Sequence, residues 1–334
     1  MESIYWVMSW LCHRTCRHCY EDRFRPYYGR ELEAVAEEAR RNFPQVIAHL
    51  PQAMTYRDGG DVRVGSVILA GGEILLDPIR ESVLYPALEG LWQKYHGSGG
   101  VKLIVQTTGD VLRPKIVGEL RDLRVWTISV SGIDEYHEGL ETEPARARLR
   151  EKLTALLEAG GFEHFAPVAG EARDAQDDGR YYHFFGATPD LWIGKLWPRG
   201  RAWTEGLSTA TMADNFCAQW SGGRNFLELG RKGSEVSIEP NGDVYPCCLK
   251  TKRPVGNLLS EPLESILGRL RGNPVYEAIN AGEPDRMGLE HGWTVEKFRE
   301  KSRVTLPDGR EYENLCIGCD RFHEEVMPLV QIKG

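Results

Sequence analysis

The sequence predicts an α/β fold: repeated βα units forming an open parallel barrel, followed by a smaller α+β domain. Up to about residue 205, short apolar runs alternate with longer amphipathic segments, which is the pattern of βα units. After residue 205 the pattern changes to a hairpin signal, one short helix and a polar stretch rich in Pro and Gly. We therefore expect two domains, residues 1–205 and residues 206–334.

Six apolar runs are the candidate strands, and six strands would make a partial (β/α)6 TIM barrel. The predicted strands are Ile4–Ser9, Ser66–Leu69, Lys102–Gln106, Val125–Val130, His164–Val168 and His183–Phe185. Helix-period apolar positions predict helices at Glu31–Leu50, Ile79–Tyr95, Pro114–Leu120 and Ala145–Ala159. In such barrels the chemistry takes place at the C-terminal ends of the strands.

The C-terminal part is predicted to open with a hairpin. Residues Val236–Tyr245 surround a Pro-Asn-Gly turn, and a short helix follows at Leu263–Leu270. The stretch from Gly272 to Asn314 is polar, with two short helix signals, so we expect a surface insertion there.

Composition and charge exclude several classes of protein. A chain of 334 residues with 41% hydrophobic and 27% charged residues is typical of a globular protein, and its net charge of -8 argues against a grip on phosphate backbones. No nucleic-acid partner is expected. The segment Met1–Trp10 lacks the features of a signal peptide, and no run reaches the roughly 18 apolar residues of a membrane span. We expect a cytoplasmic protein with no membrane segment.

Eight cysteines in such a chain would be kept reduced, which favours metal binding over disulfides. They fall into two groups, Cys12, Cys16 and Cys19 near the start and Cys217, Cys247, Cys248, Cys316 and Cys319 near the end. Two separate metal sites are the simplest interpretation.

The first group occupies one short loop after the first predicted strand. Three thiolates on a loop suit a four-iron cluster with one iron left open for a chelating ligand. The alternatives are a zinc site that adds His13 or His18, or three cysteines packed in a core. CxxxCxxC spacing is unusual for structural zinc, which prefers CxxC pairs.

This loop resembles the motif CxxxCxΦC of the radical S-adenosylmethionine (SAM) superfamily, with His18 in the Φ place. The resemblance implies that Cys12, Cys16 and Cys19 hold a [4Fe–4S] cluster whose fourth iron is chelated by SAM. An electron from that cluster would cleave SAM to a 5′-deoxyadenosyl radical, which abstracts a substrate hydrogen. The resemblance assigns His18 to the SAM-binding site.

Gly71, Gly72 and Glu73 end the second predicted strand and look like the family's GGE motif, which receives the SAM amino group. Glycines permit close backbone approach, and a carboxylate suits an ammonium group. The alternative is an ordinary turn at a strand end.

Two hydroxyl residues complete the implied SAM site. Thr108 stands where relatives often carry the Asn of Thr-Asn-Gly, and Ser129 opens a segment that resembles the family's Ser-x-Asp-Gly region. We favour Ser129 over Ser131, which replaces the usual Asp. A structural role, capping the next helix, is the alternative for these hydroxyls.

The second group resembles the twitch domain, a shortened form of the SPASM domain. The resemblance implies that Cys217, Cys247, Cys316 and Cys319 hold one auxiliary [4Fe–4S] cluster. Cys248 is left as a packed thiol, because neighbours on a strand point in opposite directions. A zinc ribbon is the alternative for the whole group.

Four-thiolate ligation leaves no corner for substrate, so the second cluster is expected to transfer electrons or support the domain. Arg199 or Arg201 is a candidate for an anionic substrate or the SAM carboxylate, and the alternative is an arginine that ion-pairs on the surface or packs the domain junction. A general base could lie near the sixth strand, although the sequence selects none, and the candidates are Tyr181, Tyr182, His183, Asp174, Asp177 and Asp178.

The leading hypothesis is an oxidative radical SAM enzyme acting on a small metabolite or a ribosomal peptide, with an electron donor such as flavodoxin or ferredoxin. Peptide-modifying members of the family that the chain resembles frequently carry an extra N-terminal domain that grips a leader peptide, whereas here the first strand begins within about four residues of Met1. The resemblance therefore favours a small molecule, or a peptide delivered by a separate partner. The alternatives are a maturase of a protein or tetrapyrrole, and an iron–sulfur electron carrier without SAM chemistry.

Overall fold

A computed structural model describes residues 1–165, 178–187, 194–219, 221–306 and 308–327. The strands within these ranges are β1 (Ser3–Val7), β2 (Thr55–Asp58), β3 (Asp61–Val64), β4 (Ser66–Ala70), β5 (Lys102–Thr107), β6 (Val125–Ser131), β7 (Glu163–His164), β8 (Tyr181–Phe185), β9 (Glu235–Ile238), β10 (Asp243–Tyr245), β11 (Gly256–Asn257), β12 (Arg303–Thr305) and β13 (Glu311–Glu313). The α-helices are α1 (Gly29–His49), α2 (Tyr85–Tyr95), α3 (Pro114–Asp122), α4 (Glu143–Ala159), α5 (Gly200–Thr204), α6 (Leu263–Leu270), α7 (Pro274–Asn280), α8 (Val295–Lys301) and α9 (Leu315–Glu325).

One large sheet organises these elements, in the order β11-β10-β9-β1-β4-β5-β6-β8-β7. Every neighbouring pair from β9 to β7 is parallel, whereas β10 and β11 are antiparallel. The predicted α/β class with a parallel sheet is confirmed. Each of the six predicted strands overlaps an observed one, although residues 166–168 of the fifth lie outside the described residues.

The strand order differs from that of a simple sequential barrel. The five-residue strand β8 lies between β6 and β7, so the two-residue β7 forms the edge. The sequence of β8 is Tyr-Tyr-His-Phe-Phe and four of its five residues are buried, whereas β7 is Glu-His and both of its residues are exposed. The apolar side chains of β8 therefore favour the inner position for this strand.

The two faces of the sheet carry separate apolar clusters, because side chains alternate along a strand. Ile4 and Trp6 of β1 pack with the helices, whereas Tyr5 and Val7 pack on the opposite, inner face. The inner cluster also contains Trp10, Cys12, Phe24, Ile68, Ala70, Ile104 and Trp126. The first cysteine loop thus lies beside the inner face of the sheet.

The C-terminal part joins the sheet through β9, which pairs with β1 in a register that sets Ser3 against Glu235. The predicted hairpin and the helix Leu263–Leu270 are confirmed. The expectation that residues 272–314 lie at the surface is wrong in part. Val275, Met287 and Phe298 are buried, because α7, α8 and the segment between them turn apolar side chains into the core.

The helices follow the sequence expectations to within about three residues at each end, except that a π-helical turn, Arg80–Leu84, leads into α2. Within the described residues, no helix has both the length and the apolar character needed to cross a membrane. The division between residues 205 and 206, just after α5, stays a prediction.

Candidate cluster and cofactor sites

The first cysteine loop follows β1 and is held by backbone contacts. The Cys12 N–H donates to the Arg25 carbonyl at 3.0 Å, and the Cys19 N–H donates to the Cys16 carbonyl at 3.2 Å. All three thiols are free, with Cys12 buried and the other two half-buried. Burial raises the pKa of Cys12 to about 12 and that of Cys19 to about 11. Metal binding would displace these protons, since the thiolate is the ligand.

The Gly-Gly-Glu segment lies directly against this loop. The Gly72 N–H donates to the Ser9 carbonyl at 3.2 Å, and the Glu73 N–H donates to the Leu11 carbonyl at 2.7 Å. A Cβ at position 72 would lie 2.3 Å from the Leu11 oxygen and 2.7 Å from the Cys12 Cβ. Only glycine fits at position 72. The cysteine loop and the Gly-Gly-Glu segment, which are distant in sequence, are thus in backbone contact at the C-terminal ends of the adjacent strands β1 and β4.

Glu73 is fully buried and bonded to the protein on both carboxylate oxygens. Its Oε2 accepts from Thr107 Oγ1 at 2.8 Å and from the Thr108 N–H at 2.7 Å, and the Thr108 hydroxyl is also 2.7 Å away. Its Oε1 accepts from the Leu75 N–H at 3.0 Å. Burial raises the pKa of Glu73 against the effect of these donors. The structure thus assigns the carboxylate a bracing role, and its contact with the SAM amino group stays a prediction.

A polar network that the sequence analysis missed extends from this carboxylate. The Thr108 hydroxyl is 2.5 Å from Asp110 Oδ1, and Oδ2 of Asp110 is 2.8 Å from His13 Nε2 and 2.7 Å from Arg14 Nη2. Burial opposes ionisation of Asp110, but His13, Thr108 and Arg14 hold its pKa well below the usual range. The sequence signal that could have identified Asp110 is its position directly after the Thr-Thr-Gly segment at the end of β5. His13 is engaged here with a carboxylate.

His18, in the Φ place, is fixed by a second network. Its Nδ1 is 3.1 Å from the Tyr136 carbonyl oxygen, and its ring centroid is 4.3 Å from that of His137. Nδ1 of His137 bonds Asp134 Oδ1 at 2.8 Å, and Asp134 also accepts from the Ala187 N–H at 3.2 Å. Burial and His137 lower the pKa of His18 to about 4, so the ring is neutral near pH 7. The sequence analysis missed His137.

Ser129 and the other candidates near the sixth strand differ in position. Ser129 is fully buried on β6, in register with Gln106 of β5 and His183 of β8. Ser131 Oγ donates to the Thr107 carbonyl at 3.4 Å. Tyr182 donates to Glu158 at 3.2 Å. The structure leaves Asp178 exposed, whereas Asp174 and Asp177 lie outside the described residues.

The four cysteines proposed for the second site line one cavity. Cys217 lies in a 3-10 turn, Cys247 follows β10, and Cys316 and Cys319 lie in the first turns of α9. Asn314 caps that helix by accepting from the Cys316 N–H at 2.9 Å. Burial raises the pKa of Cys247 to about 11 and of Cys316 to about 12. Four free thiols around one cavity fit a four-thiolate cluster.

Cys248 is not among the residues that line this cavity. It lies with Tyr20 between the inner apolar cluster of the sheet and a small cluster that contains Cys247, Phe216 and Trp197. Tyr20 in turn is hydrogen-bonded to Tyr5 at 2.9 Å. This position agrees with the expected packed thiol.

Arg199 and Arg201, the candidates for an anionic substrate or the SAM carboxylate, are both engaged with the protein itself. Arg199 donates from Nε to the Leu249 carbonyl at 2.8 Å and from Nη2 to Asp320 at 2.9 Å. Arg201 donates to the carbonyls of Cys16, Asp22 and Phe24 at 2.9, 3.1 and 2.9 Å. Their donors serve the two cysteine loops, because the segment that carries them lies between those loops.

Comparisons with known proteins identify the C-terminal part. Residues 231–320 match the family model SPASM, described as an iron–sulfur cluster-binding domain. No curated protein matches the chain in sequence.

Several solved structures resemble the chain. The structure of BtrN with AdoMet and 2-DOIA has 14% identity and a TM-score of 0.44, over 84% of this chain and 88% of that one. Streptococcus suis SuiB bound to the precursor peptide SuiA has 13% identity and a TM-score of 0.43, over 84% and 66%. Native anSMEcpe with bound AdoMet has 15% identity and a TM-score of 0.46, over 99% of each chain.

The match includes Cys247, Cys316 and Cys319, and the structure brings Cys217 to the same cavity from outside the matched range. The predicted SPASM-like domain is thereby confirmed, and residues 231–320 are an iron–sulfur cluster-binding domain of the SPASM family.

Proposed function

We propose that this chain is a radical SAM enzyme that cleaves SAM reductively and oxidises a substrate radical with the help of its second cluster. One observation carries the proposal. The three-cysteine loop and the Gly-Gly-Glu segment are in backbone contact at the C-terminal ends of two parallel strands, in a chain that also has a SPASM domain.

The residues of the first site have distinct tasks. Cys12, Cys16 and Cys19 would hold a [4Fe–4S] cluster with one iron left for the amino and carboxylate groups of SAM. When bound, that cluster supplies the electron that breaks a sulfur–carbon bond of SAM. Gly72 lets the second strand end approach the cysteine loop, and Glu73 braces that end through Thr107 and Thr108.

His18 and Ser129 complete the proposed SAM site. His18 belongs to the cysteine loop itself, and its neutral ring is held by Tyr136 and His137, where it can contact an uncharged part of SAM. Ser129 lies on the next strand but one from Gly71 and Gly72, and its hydroxyl can serve the ribose or the carboxylate.

The second site differs from the first, because its four cysteines leave no iron of a cluster open to SAM or substrate. Cys217, Cys247, Cys316 and Cys319 would each ligate one iron of an auxiliary [4Fe–4S] cluster. That cluster, when bound, supplies an acceptor for one electron. Substrate oxidation follows from this assignment, because a carbon radical that loses an electron and a proton becomes a stable product with a new double bond or carbonyl.

The substrate class is proposed as a small metabolite or a ribosomal peptide, in a cytoplasmic enzyme served by a flavodoxin or ferredoxin. A maturase acting on a protein or tetrapyrrole is the second candidate among enzymes. An electron carrier without SAM chemistry is disfavoured by the Gly-Gly-Glu segment beside the cysteine loop and by a first site with only three cysteine ligands.

The test is anaerobic reconstitution followed by measurement of iron and of 5′-deoxyadenosine formed from SAM with a strong reductant. We expect about eight irons per chain. Cys16→Ala should abolish 5′-deoxyadenosine formation, because the first cluster loses one of three ligands. Cys316→Ala serves as the matched variant and should keep SAM cleavage while losing product formation.

Two outcomes would contradict the proposal. Zinc in place of iron, or intact clusters that form no 5′-deoxyadenosine, would favour a structural or electron-carrying protein. A Cys16→Ala variant that cleaves SAM at the wild-type rate would remove the first site from the mechanism.

A further inference from the structure

The segment from Arg199 to Arg201 contacts both cysteine sites. Arg199 lines the second cavity, and Arg201 donates to the Cys16 carbonyl in the first loop. Gly200 between them has a positive φ of 52°, and a Cβ there would lie 2.6 Å from the Cys19 carbonyl oxygen. Glycine therefore allows two neighbouring arginines to serve two different loops.

Arg199 brings a positive charge to the wall of the second cavity. Its side chain is 13% exposed and has Asp320, next to Cys319, as its carboxylate partner at 2.9 Å. Burial opposes the charge, but Asp320 and the nearby cysteines raise the pKa of Arg199, which is charged at any working pH. With a cluster bound, this guanidinium would face Asp320 and four cysteine thiolates, in company with Lys250, which lines the cavity, and Lys252, whose Nζ is 3.9 Å from Asp320.

The charge matters because reduction adds one negative charge to a cluster. A fixed positive charge in a buried, weakly screened place stabilises the reduced form more than the oxidised form. Arg199 also donates to the Leu249 carbonyl, two residues after Cys247, which ties the charge to the ligand loop.

We propose that Arg199 is a redox-tuning residue that raises the reduction potential of the second cluster, so that this cluster accepts the electron of the substrate radical. The inference rests on the proposed function of the second site. The substrate radical passes one electron to the cluster and releases one proton to solvent as its new double bond or carbonyl forms, and an external one-electron carrier then reoxidises the cluster. Arg199 does not touch the substrate.

The test is a redox titration, followed by EPR, of the full chain in a Cys12→Ala, Cys16→Ala, Cys19→Ala background that keeps only the second cluster. Arg199→Met should lower the midpoint potential by at least ~59 mV, the value of a tenfold change in a one-electron equilibrium. Arg199→Lys, which keeps the charge, should shift it less. Arg201→Met is the matched control and should leave this potential unchanged.

Asp320→Asn keeps the inference testable if Arg199→Met holds no iron. Removal of the carboxylate beside Arg199 should raise the midpoint potential. An iron-loaded Arg199→Met with the wild-type potential overturns the tuning role. If Arg199→Met does not assemble, an unchanged potential in Asp320→Asn overturns it. A background chain that binds no four-iron cluster at all refutes the second site itself.

Discussion

At the scale of single residues, the first site depends on a buried carboxylate that the protein itself satisfies. Glu73 receives donors from Thr107, Thr108 and Leu75, and through the Thr108 hydroxyl it is linked to Asp110 and the cysteine loop. A buried carboxylate without its donors is costly, so these threonines hold the Gly-Gly-Glu segment in place.

Thr108→Val tests this bracing. The change keeps the shape and removes the hydroxyl shared by Glu73 and Asp110, so we expect the free energy of unfolding to fall by about 1–3 kcal/mol. Urea unfolding at neutral pH measures it. Thr108→Ser restores the hydroxyl and should recover most of the loss. A Thr108→Val protein as stable as the wild type would show that the hydroxyl is not needed.

At the scale of elements, the ends of β1 and β4 form the first site only because their loops pack backbone against backbone. The contact between Gly72 and Leu11 leaves no space for a side chain, and the atoms that a Cβ would meet are mostly backbone atoms that cannot turn aside. The backbone packing at Gly72, more than the identity of the cysteine ligands, therefore limits which substitutions the Gly-Gly-Glu segment tolerates.

Gly72→Ala should separate the two strand ends and reduce 5′-deoxyadenosine formation at least about a hundredfold, as misplacement of reacting groups by roughly 1 Å does. Gly118→Ala is the matched control, because a Cβ at that position in α3 meets open space. It should leave SAM cleavage unchanged and stabilise the helix by about 0.5–1 kcal/mol. Wild-type cleavage by Gly72→Ala would contradict the close-approach argument.

At the scale of the whole molecule, the SPASM domain and the parallel sheet are one continuous structure. β9 pairs with β1, and Glu239 after β9 bonds Arg23 at 2.6 Å and Lys250 at 2.6 Å, while Lys250 also pairs with Glu21. These ion pairs connect the loop after Cys19 with the loop after Cys247. The two cysteine sites are therefore held by shared elements.

Glu235, at the β9–β1 junction, predicts a pH dependence of stability. Burial, partly offset by Ser3 and Ser221, raises the pKa of Glu235 from 4.5 to about 7. Between pH 4.5 and about pH 7, Glu235 is therefore protonated in the folded chain and ionised in the unfolded chain. Stability from this group is full below pH 4.5 and is lost as the pH rises to about 7, by about 3 kcal/mol.

Glu235→Gln should remove this dependence. The stability gained by the variant over the wild type should be larger at pH 8 than at pH 5, as measured by urea unfolding at both values. A difference between the two proteins that stays constant from pH 5 to pH 8 would contradict the raised pKa.

The sequence by itself determined the features that are written in local spacing. Cysteine spacing, apolar alternation and the Pro-Asn-Gly turn identified the first loop, the parallel strands and the hairpin, because ligand reach and side-chain alternation act over a few residues. The prediction of a packed Cys248 rested on strand alternation, but Cys247 and Cys248 lie in a turn after β10, so the turn and not alternation separates Cys248 from the cavity.

Only the tertiary structure decided which distant groups meet. It brought Cys217 to the cavity that Cys247 lines, and it joined Asp110 to the first cysteine loop. It also placed β8 between β6 and β7, and it brought Arg199 and Arg201 into contact with the two cysteine loops. Polar side chains on loops carry no periodic signal, and their partners depend on how the whole chain buries its apolar faces. Packing of the complete fold therefore selects these contacts.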